Sequence, residues 1–193
     1  MDNISNLGIS ETMFKQLNAV LNALPKLLNK VELWDSLIIN KRKPETYRVF
    51  TYIGSYRVCL HHFKAPDTED TFWHPHAWPA AFAVLRGSYD LHLGRMLNRT
   101  SREVTGVNKF RMAAGSRYEM VNPMDGHKIV PITDTYTVMI NGAPYSKNLV
   151  HPTVRTTKGK DLERMTPDEL QAQLHKFKIL WAGMKYDEAA FYD

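Results

Sequence analysis

The segment from Thr46 to about Gly142 consists of short runs rich in β-branched and aromatic residues, separated by Gly, Pro, Asn and Asp. Runs of this kind are typical of β-strands joined by turns. A succession of short strands argues against a parallel sheet with crossover helices and favours a β-sandwich or a jelly-roll barrel. The predicted strands are Tyr47 to Tyr52, Tyr56 to Lys64, Ala80 to Leu85, Tyr89 to Leu93, Glu103 to Val107, Lys109 to Met112, Tyr118 to Val121, His127 to Pro131 and Thr135 to Ile140.

A helical pattern precedes this β-rich segment. From Ser10, a predicted N-cap, apolar residues recur at three- and four-residue intervals, as in an amphipathic helix. At Pro25 either the helix kinks or a second helix begins with proline in its first turn. We expect the apolar stripe to pack on its own barrel, with a subunit interface as the alternative. The stripe consists of Met13, Phe14, Leu17, Val20, Leu21, Leu24, Leu27, Leu28 and Val31.

The C-terminal part returns to a helical pattern. Thr166, Pro167 and Glu169 form the signature of a capping box with proline in the first turn. The segment from Lys147 to Arg164 is predicted to be a linker or an exposed loop. The apolar face of the predicted helix consists of Leu170, Leu174, Phe177, Trp181 and Met184.

The length of 193 residues and a hydrophobic content of 44% fit one globular domain spanning 1–193. Within it we predict an N-terminal helical extension at 1–45, a β-barrel core at 46–142, and a linker with a C-terminal helix at 143–193. The sequence shows no internal repeat and no low-complexity tract.

Three histidines are the strongest candidates for a functional site. His74 and His76 are two residues apart, and on an extended strand such residues point to the same face. Two imidazoles placed side by side can close on one divalent ion. His127 follows a Pro and Gly turn signal about fifty residues later and can complete the ligand set. The pattern therefore predicts a mononuclear metal site.

These residues resemble the two motifs of the cupin superfamily over residues 47 to 142. The first motif has a His-x-His pair, then Glu, and ends at Gly; this chain supplies the His pair and Gly87. In the second motif Gly, Pro, Gly and His follow one another, as Gly115, Pro123, Gly126 and His127 do here. The chain departs from the pattern at the opening Gly (Thr68), the Glu (Ala80) and the final Asn (Pro131).

The resemblance implies an all-β core of the cupin type, a double-stranded β-helix (jelly-roll) barrel with N-terminal and C-terminal helices. It also implies His74, His76 and His127 as metal ligands. Three neutral imidazoles leave the two positive charges of a divalent ion uncompensated, so the site should favour an anion. Within the cupins, three-His iron centres lacking the Glu are typical of thiol dioxygenases and of some oxygenases that cleave carbon–carbon bonds.

The expected function is therefore that of an iron(II) oxygenase acting on a small anionic molecule. Zinc, manganese or nickel would instead indicate hydrolysis, isomerisation or lyase chemistry. The alternative is a cupin that binds a small ligand without turning it over, because a site that has lost one ligand can also have lost its metal. A nucleic-acid-associated accessory protein is a third and weaker reading.

Other polar residues lie in the predicted strands near the site. Tyr118 and Glu119 are adjacent, so one of them should face the barrel interior and serve as a supporting donor or as a catalytic acid or base. His61 and His62 are also adjacent, so at most one of them points inward, and His92 is a further candidate. The large residues around the His pair, read as pocket wall and core, are Trp73, Trp78 and Phe82.

Net charge and cysteine content limit the classes of partner and the cellular compartment that we expect. The net charge of +5 is spread thinly, with one short basic cluster at Lys41 to Lys43 and Arg95, Arg99 and Arg102 further along, so nucleic acid is not the expected partner. The single cysteine, Cys59, is predicted to be a buried strand residue in a reducing compartment. Without a signal peptide or a membrane-spanning run, we expect a cytoplasmic protein, and a homodimer is the expected assembly.

Overall fold

The computed structural model describes residues 13–39, 45–65, 71–98, 103–146 and 162–183. These residues form two α-helices, one short 3-10 helix and strands in two antiparallel sheets. In chain order the elements are α1 (Met13–Leu27), the 3-10 helix (Val31–Leu33), β1 (Asp35–Ile39), β2 (Thr46–Ile53), β3 (Tyr56–Phe63), β4 (His74–Pro75), β5 (Ala80–Arg86), β6 (Ser88–Asn98), β7 (Glu103–Ala113), β8 (Arg117–Met120), β9 (Asp125–Pro131), β10 (Thr135–Asn141), β11 (Leu162–Glu163) and α2 (Pro167–Gly183).

The strand order identifies the architecture. The larger sheet has the order β11-β1-β2-β3-β10-β5-β8, and the smaller sheet has the order β4-β9-β6-β7. The strands from β3 to β10 therefore divide into two groups of four, β3-β10-β5-β8 and β4-β9-β6-β7, each with antiparallel neighbours. This is the arrangement of a jelly roll, in which two sheets built from Greek keys face each other. The predicted all-β, cupin-type double-stranded β-helix with a helix at each end is confirmed.

The smaller sheet corrects one strand assignment. Glu103–Val107 and Lys109–Met112 were predicted as two strands, but they belong to the single strand β7. The pairing of β7 with β6 continues through Asn108, which lies opposite Leu93. A register shift in β6 just after Leu93 lies close to Gly106, which has φ of 61°. The pairing of β6 with β7 is therefore irregular close to the point where the sequence predicted a break between two strands.

The larger sheet contains two strands that the sequence analysis did not predict. Strand β1 lies within the predicted helical extension 1–45, and β11 lies within the predicted linker. The two strands pair with each other through Ile38 opposite Glu163 and Ile39 opposite Leu162. Strand β11 has only two residues, so it is too short to show an alternation of apolar and polar residues in the sequence. Strand β1 widens the larger sheet beyond the barrel by pairing with β2.

Helix α1 packs on the outer face of the larger sheet. Its fully buried residues, Leu17, Leu21 and Leu24, belong to one cluster with strand residues such as Leu60 and Ile140. The predicted packing on the same chain's barrel is therefore confirmed, and the apolar stripe no longer argues for a subunit interface. Helix α1 continues through Pro25 to Leu27, so a second helix starting at the proline is wrong. The predicted N-cap Ser10 lies outside the described residues.

Helix α2 begins with the predicted capping box. The Thr166 backbone N–H donates to Glu169 Oε2 at 2.8 Å, and the Glu169 N–H donates to Thr166 Oγ1 at 3.3 Å. Leu174 and Phe177 are buried in the same outer-face cluster as α1. Neither described helix is long and apolar enough to cross a membrane.

Strand β5 shows how the two faces of the larger sheet differ. Residues Ala81, Ala83 and Leu85 join the outer-face cluster, whereas Phe82 and Val84 join a second cluster inside the barrel. Alternate residues of a strand point to opposite faces, and residues paired across two strands share a face. The faces of the β5 residues therefore also give the faces of the residues paired with them in β8 and β10. The members of the inner cluster are Cys59, Ala80, Phe82, Val84, Tyr89, Leu91, Met112, Tyr118, Met120 and Met139. Cys59 is thus a buried strand residue, as predicted.

Candidate metal centre

The structure brings His74, His76 and His127 together. Strand β4 pairs with β9 so that His74 lies directly opposite His127, and His76 follows two residues after His74. One ring nitrogen from each residue lies within 4.8 Å of the others. His127 Nε2 is 2.8 Å from His74 Nε2 and 3.1 Å from His76 Nε2. Three side chains from two neighbouring segments therefore aim their nitrogens at one point.

The spacing of these nitrogens fits a single ion. Nitrogen ligands bind first-row metals at about 2.0–2.1 Å, so two of them on one ion at about 90–110° lie roughly 2.8–3.4 Å apart. The two Nε2 separations from His127 are 2.8 Å and 3.1 Å, close to that range. Among the described residues, the group that can hold a metal contains these three histidines and no carboxylate. The donor set is that of a three-His site.

Burial keeps the central ligand in its metal-binding form. His127 is only 1% exposed, whereas His74 is half-buried. Burial, followed by the neighbouring His74 and His76, holds the pKa of His127 well below its ordinary value. Since a metal is bound by neutral imidazole, His127 is ready for ligation at neutral pH without first losing a proton.

Tyr118 holds His127 from the side opposite the cluster. Its hydroxyl lies 3.1 Å from His127 Nδ1 in a buried contact. If Nε2 serves as the ligand, the proton of the neutral ring is on Nδ1, which then donates to the Tyr118 oxygen. Burial, followed by the charge of Tyr89 and a hydrogen bond between the two phenols, raises the pKa of Tyr118 well above its ordinary value. Tyr118 therefore stays neutral and orients the ring of His127.

Glu119 lies away from the centre. In the pairing of β8 with β5, Tyr118 is opposite the inward-facing Phe82, and Glu119 is opposite the outward-facing Ala81. Of the two adjacent candidates for an acid or base, the structure thus turns Tyr118 inward and Glu119 towards the face that α1 covers. Ala80, which takes the place of Glu in the first of the two motifs that the sequence resembles, is fully buried in the inner cluster and brings no carboxylate.

Aromatic side chains form the wall of the centre. Phe82 stacks on Tyr118 with ring centroids 4.3 Å apart, and its ring lies 5.5 Å from those of both His76 and His127. The ring of Trp78 lies 6.5 Å from that of His76. The predicted role of Phe82 and Trp78 as pocket wall and core agrees with these contacts. Trp73, the third residue of that prediction, instead lies beside the outward-facing His92, with ring centroids 6.3 Å apart. Apolar walls of this kind limit the access of water to the ligand nitrogens.

The remaining histidines are divided between the two faces. His61 shares the inward face of β3 with Cys59 of the inner cluster, and His62 faces outward. His92 is adjacent to the inward-facing Leu91 and therefore points outward, so it is not the further inward group that the sequence allowed. The basic residues Lys41 to Lys43 lie outside the described part of the chain.

Two arginines on the inner face were missed from the sequence. Arg48 lies directly opposite His61 in the pairing of β2 with β3, and its Nε donates to His61 Nε2 at 2.8 Å. Arg57 is on the same face of β3 as Cys59 and His61, and its guanidinium lies 4.6 Å from the centre of the Trp78 ring. The alternation of Arg57, Cys59 and His61 was the signal that could have shown them, once one of the three was known to point inward.

The sequence matches no protein-family model and no curated protein. Among solved structures, a conserved SPY1581 protein of unknown function from Streptococcus pyogenes has a TM-score of 0.40 and 9% identity, over 54% of this chain and 80% of that one. Hydroxypropylphosphonic acid epoxidase from S. wedmorenis has a TM-score of 0.42 and 11% identity, over 56% of this chain and 55% of that one. The Fe(II) form of HppE has a TM-score of 0.42 and 13% identity, over 53% of this chain and 54% of that one. The chain thus spans about half the length of these two structures, and its fold assignment rests on the strand order.

Proposed function

We propose that this chain is a metal-dependent enzyme that binds one iron(II) ion through His74, His76 and His127 and uses it in dioxygen chemistry on a small anionic molecule. The observation that carries the proposal is the convergence of three Nε2 atoms, with 2.8 Å and 3.1 Å separations, inside a barrel. When bound, iron(II) in a neutral three-His site supplies redox reactivity with dioxygen, positions open to exchange, and an uncompensated positive charge.

The residues of the chain support this chemistry in three ways. The three histidines would hold the ion and leave positions open to exchange, where substrate and dioxygen would meet in a defined orientation. Tyr118 is a positioning residue, because it holds the His127 ring through Nδ1. Phe82 and Trp78 restrict water around the ligands, which strengthens electrostatic attraction between the centre and an anion.

The experiment is an anaerobic titration of the full chain with iron(II), followed by nitric oxide and EPR spectroscopy. Nitric oxide binds an exchangeable position of ferrous iron and gives a half-integer-spin signal that can be counted. We expect close to one spin per chain in the wild type, and loss of the signal in His74→Ala and His127→Ala. The matched control is His92→Ala, which removes an imidazole from the outer face of β6 and should keep the full signal.

Turnover is measured separately as oxygen uptake by the iron-loaded chain over a panel of small carboxylates and thiol-bearing carboxylates. An oxygenase consumes dioxygen in proportion to one member of the panel, and His92→Ala retains that rate. A full spin count with no uptake for any member, together with an anion that raises the melting temperature without being consumed, would instead favour the non-catalytic ligand-binding cupin.

A further inference from the structure

The inner face of β2 and β3 carries a cation with most of its donors unused. Arg48 donates through Nε to His61 Nε2 at 2.8 Å, which uses one of the five N–H groups of its guanidinium. Within the described part of the chain, no carboxylate contacts Arg48. Arg48 is half-buried and His61 is only 4% exposed. A partly desolvated guanidinium without an anionic partner is unfavourable, so four donors remain available for one.

His61 strengthens the donor character of this region. Because His61 Nε2 accepts from Arg48, the proton of the neutral ring is on Nδ1, which can donate. Burial, followed by the charges of Arg48 and Arg57, holds the pKa of His61 well below its ordinary value. This inner face reaches the three-His cluster through Trp78, whose ring lies 4.6 Å from the Arg57 guanidinium and 6.5 Å from the ring of His76. The neutral ring adds a donor without adding repulsion between positive charges.

A second cation lies further along the same face. Arg57 stands over Trp78 at 4.6 Å, and no described carboxylate contacts it. In the pairing of β3 with β10, Arg57 is opposite Asn141. Asn141 is 2% exposed, and its Nδ2 and Oδ1 atoms have no hydrogen-bond partner. The indole Nε1 of Trp78 is likewise buried without a partner. Buried polar atoms of this kind are normally satisfied, so a ligand is the expected partner.

We propose that Arg48 and Arg57, assisted by Asn141, bind an oxyanion group of a small molecule inside the barrel, beside the three-His centre. Guanidinium groups bind carboxylate and phosphate oxygens through paired N–H donors, and the planar fork fits both. Arg48 lies opposite His61, and Arg57 lies four residues before His61 on the same inner face of β3, so both cations belong to one stretch of the barrel wall. An oxyanion on this wall supplies the negative charge that the described residues do not provide and accepts from the unused donors of Arg48 and Asn141.

This inference deepens the proposed function, because it assigns the residues that hold the substrate's anionic group. It rests on that function for the reaction that follows binding, whereas the binding of an oxyanion requires no metal. The test therefore uses the metal-free full chain, so that failure of iron binding and failure of oxyanion binding are seen separately.

The experiment is isothermal titration calorimetry with two probes, succinate and inorganic phosphate, at neutral pH and constant ionic strength. We expect saturable binding of at least one probe to the wild type. The affinity should fall at least tenfold in both Arg48→Gln and Arg57→Gln, because each variant removes a charged pair of donors. The probe that binds more tightly distinguishes a carboxylate from a phosphate ligand.

Arg111→Gln is the matched control, since Arg111 is exposed on the outer side of the barrel in β7, where it pairs with Asp90. It should leave the affinity unchanged. Binding of neither probe to the wild type, or an equal loss of affinity in Arg111→Gln, overturns the proposal. Arg48→Lys keeps the charge without the fork and should lose less affinity than Arg48→Gln. Urea unfolding of each variant establishes whether it is folded. If Arg48→Gln does not fold, Arg57→Gln still tests the site independently.

Discussion

Two adjacent histidines of β3 lie on opposite faces of the larger sheet and have different neighbours. His61 faces the barrel interior, where it accepts a hydrogen bond from Arg48 at 2.8 Å. His62 faces outward, where its Nε2 lies 3.2 Å from Asp134 Oδ2 and its ring stacks on Tyr136 with centroids 4.2 Å apart. Both side chains are buried, so burial alone does not distinguish them.

The charges around the two rings differ in sign. Burial lowers the pKa of His62, and Asp134 opposes this shift. Burial also lowers the pKa of His61, but there Arg48 and Arg57 act in the same direction and the shift is larger. On the outer face, Asp134 of the chain itself supplies a carboxylate to His62 Nε2. On the inner face the described cations have no carboxylate to match them, which is the arrangement expected where a ligand supplies the negative charge.

The packing of the two faces differs in the same way. The outer cluster is built from aliphatic residues of α1 and the sheet together with α2, and its side chains complete the interior of the fold. The inner cluster is smaller and richer in aromatic and sulfur-containing residues, and it adjoins the histidines and arginines. We therefore expect changes on the outer face to alter stability, and changes on the inner face to alter binding of metal and anion.

Leu24→Ala should give the largest effect on stability. Leu24 is fully buried between α1 and the outer face of the sheet, and truncation of such a residue costs about 2–5 kcal/mol. Urea unfolding measures the change. Iron(II) affinity, measured on the folded fraction, should not change. A matching loss of iron affinity would contradict the separation of the two faces.

Tyr118→Phe tests the inner face with a smaller change. Removal of the hydroxyl leaves His127 Nδ1 without its partner, and loss of such a supporting hydrogen bond weakens metal binding by about 10- to 100-fold. The affinity for iron(II) is measured by competition with a chelator. Tyr136→Phe removes a hydroxyl from the outer face and serves as the control. Equal iron affinity in Tyr118→Phe and the wild type argues against a positioning role for Tyr118.

Thr166→Ala tests how much the N-terminal cap of α2, which packs on the outer face, contributes to stability. Thr166 makes reciprocal hydrogen bonds with Glu169 at the start of α2, and loss of such a cap costs about 0.5–2 kcal/mol. Thermal unfolding should show a lower midpoint, and Thr166→Ser, which keeps the hydroxyl, should restore most of it. No difference between the Ala and Ser variants would show that the cap contributes nothing to stability.

The smallest expected effect is the pH dependence due to His62. Its pKa in the folded protein is lowered, so below about pH 6.5 the unfolded chain takes up a proton that the folded chain resists. Stability should therefore fall as pH decreases through this window. In His62→Gln this slope should be shallower, although His61 still contributes in the same direction. Unfolding free energies measured between neutral and mildly acidic pH test this, and an unchanged slope contradicts it.

Much of the fold was predictable because its strands alternate and its turns carry Gly and Pro. Gly87, which ends the first motif, lies between β5 and β6, where φ is 83° and an added Cβ would meet the backbone of Asp134. Strand β4 was not predicted as a strand of its own, because two residues carry no period. Strand β1 was assigned to a helical extension, because its pairing with β2 and β11 joins distant parts of the chain.

The three histidines of the candidate site could be predicted because the evidence for them is local in the sequence. His74 and His76 share a face by their spacing, and a turn signal marked His127. The choice between Tyr118 and Glu119 could not be made, because a shift of one residue in register exchanges their faces. The pairing of Tyr118 with Phe82 decides it. Arg48 was missed for the same reason, since its relation to His61 comes from the register of β2 on β3.

The most direct test of the account is the metal content of untagged protein purified without chelator, measured by mass spectrometry beside the double variant His74→Ala with His127→Ala. We expect close to one metal ion per chain in the wild type and in His92→Ala, and none in the double variant. Absence of metal from the wild type, even after anaerobic incubation with iron(II), would contradict the proposed metal centre.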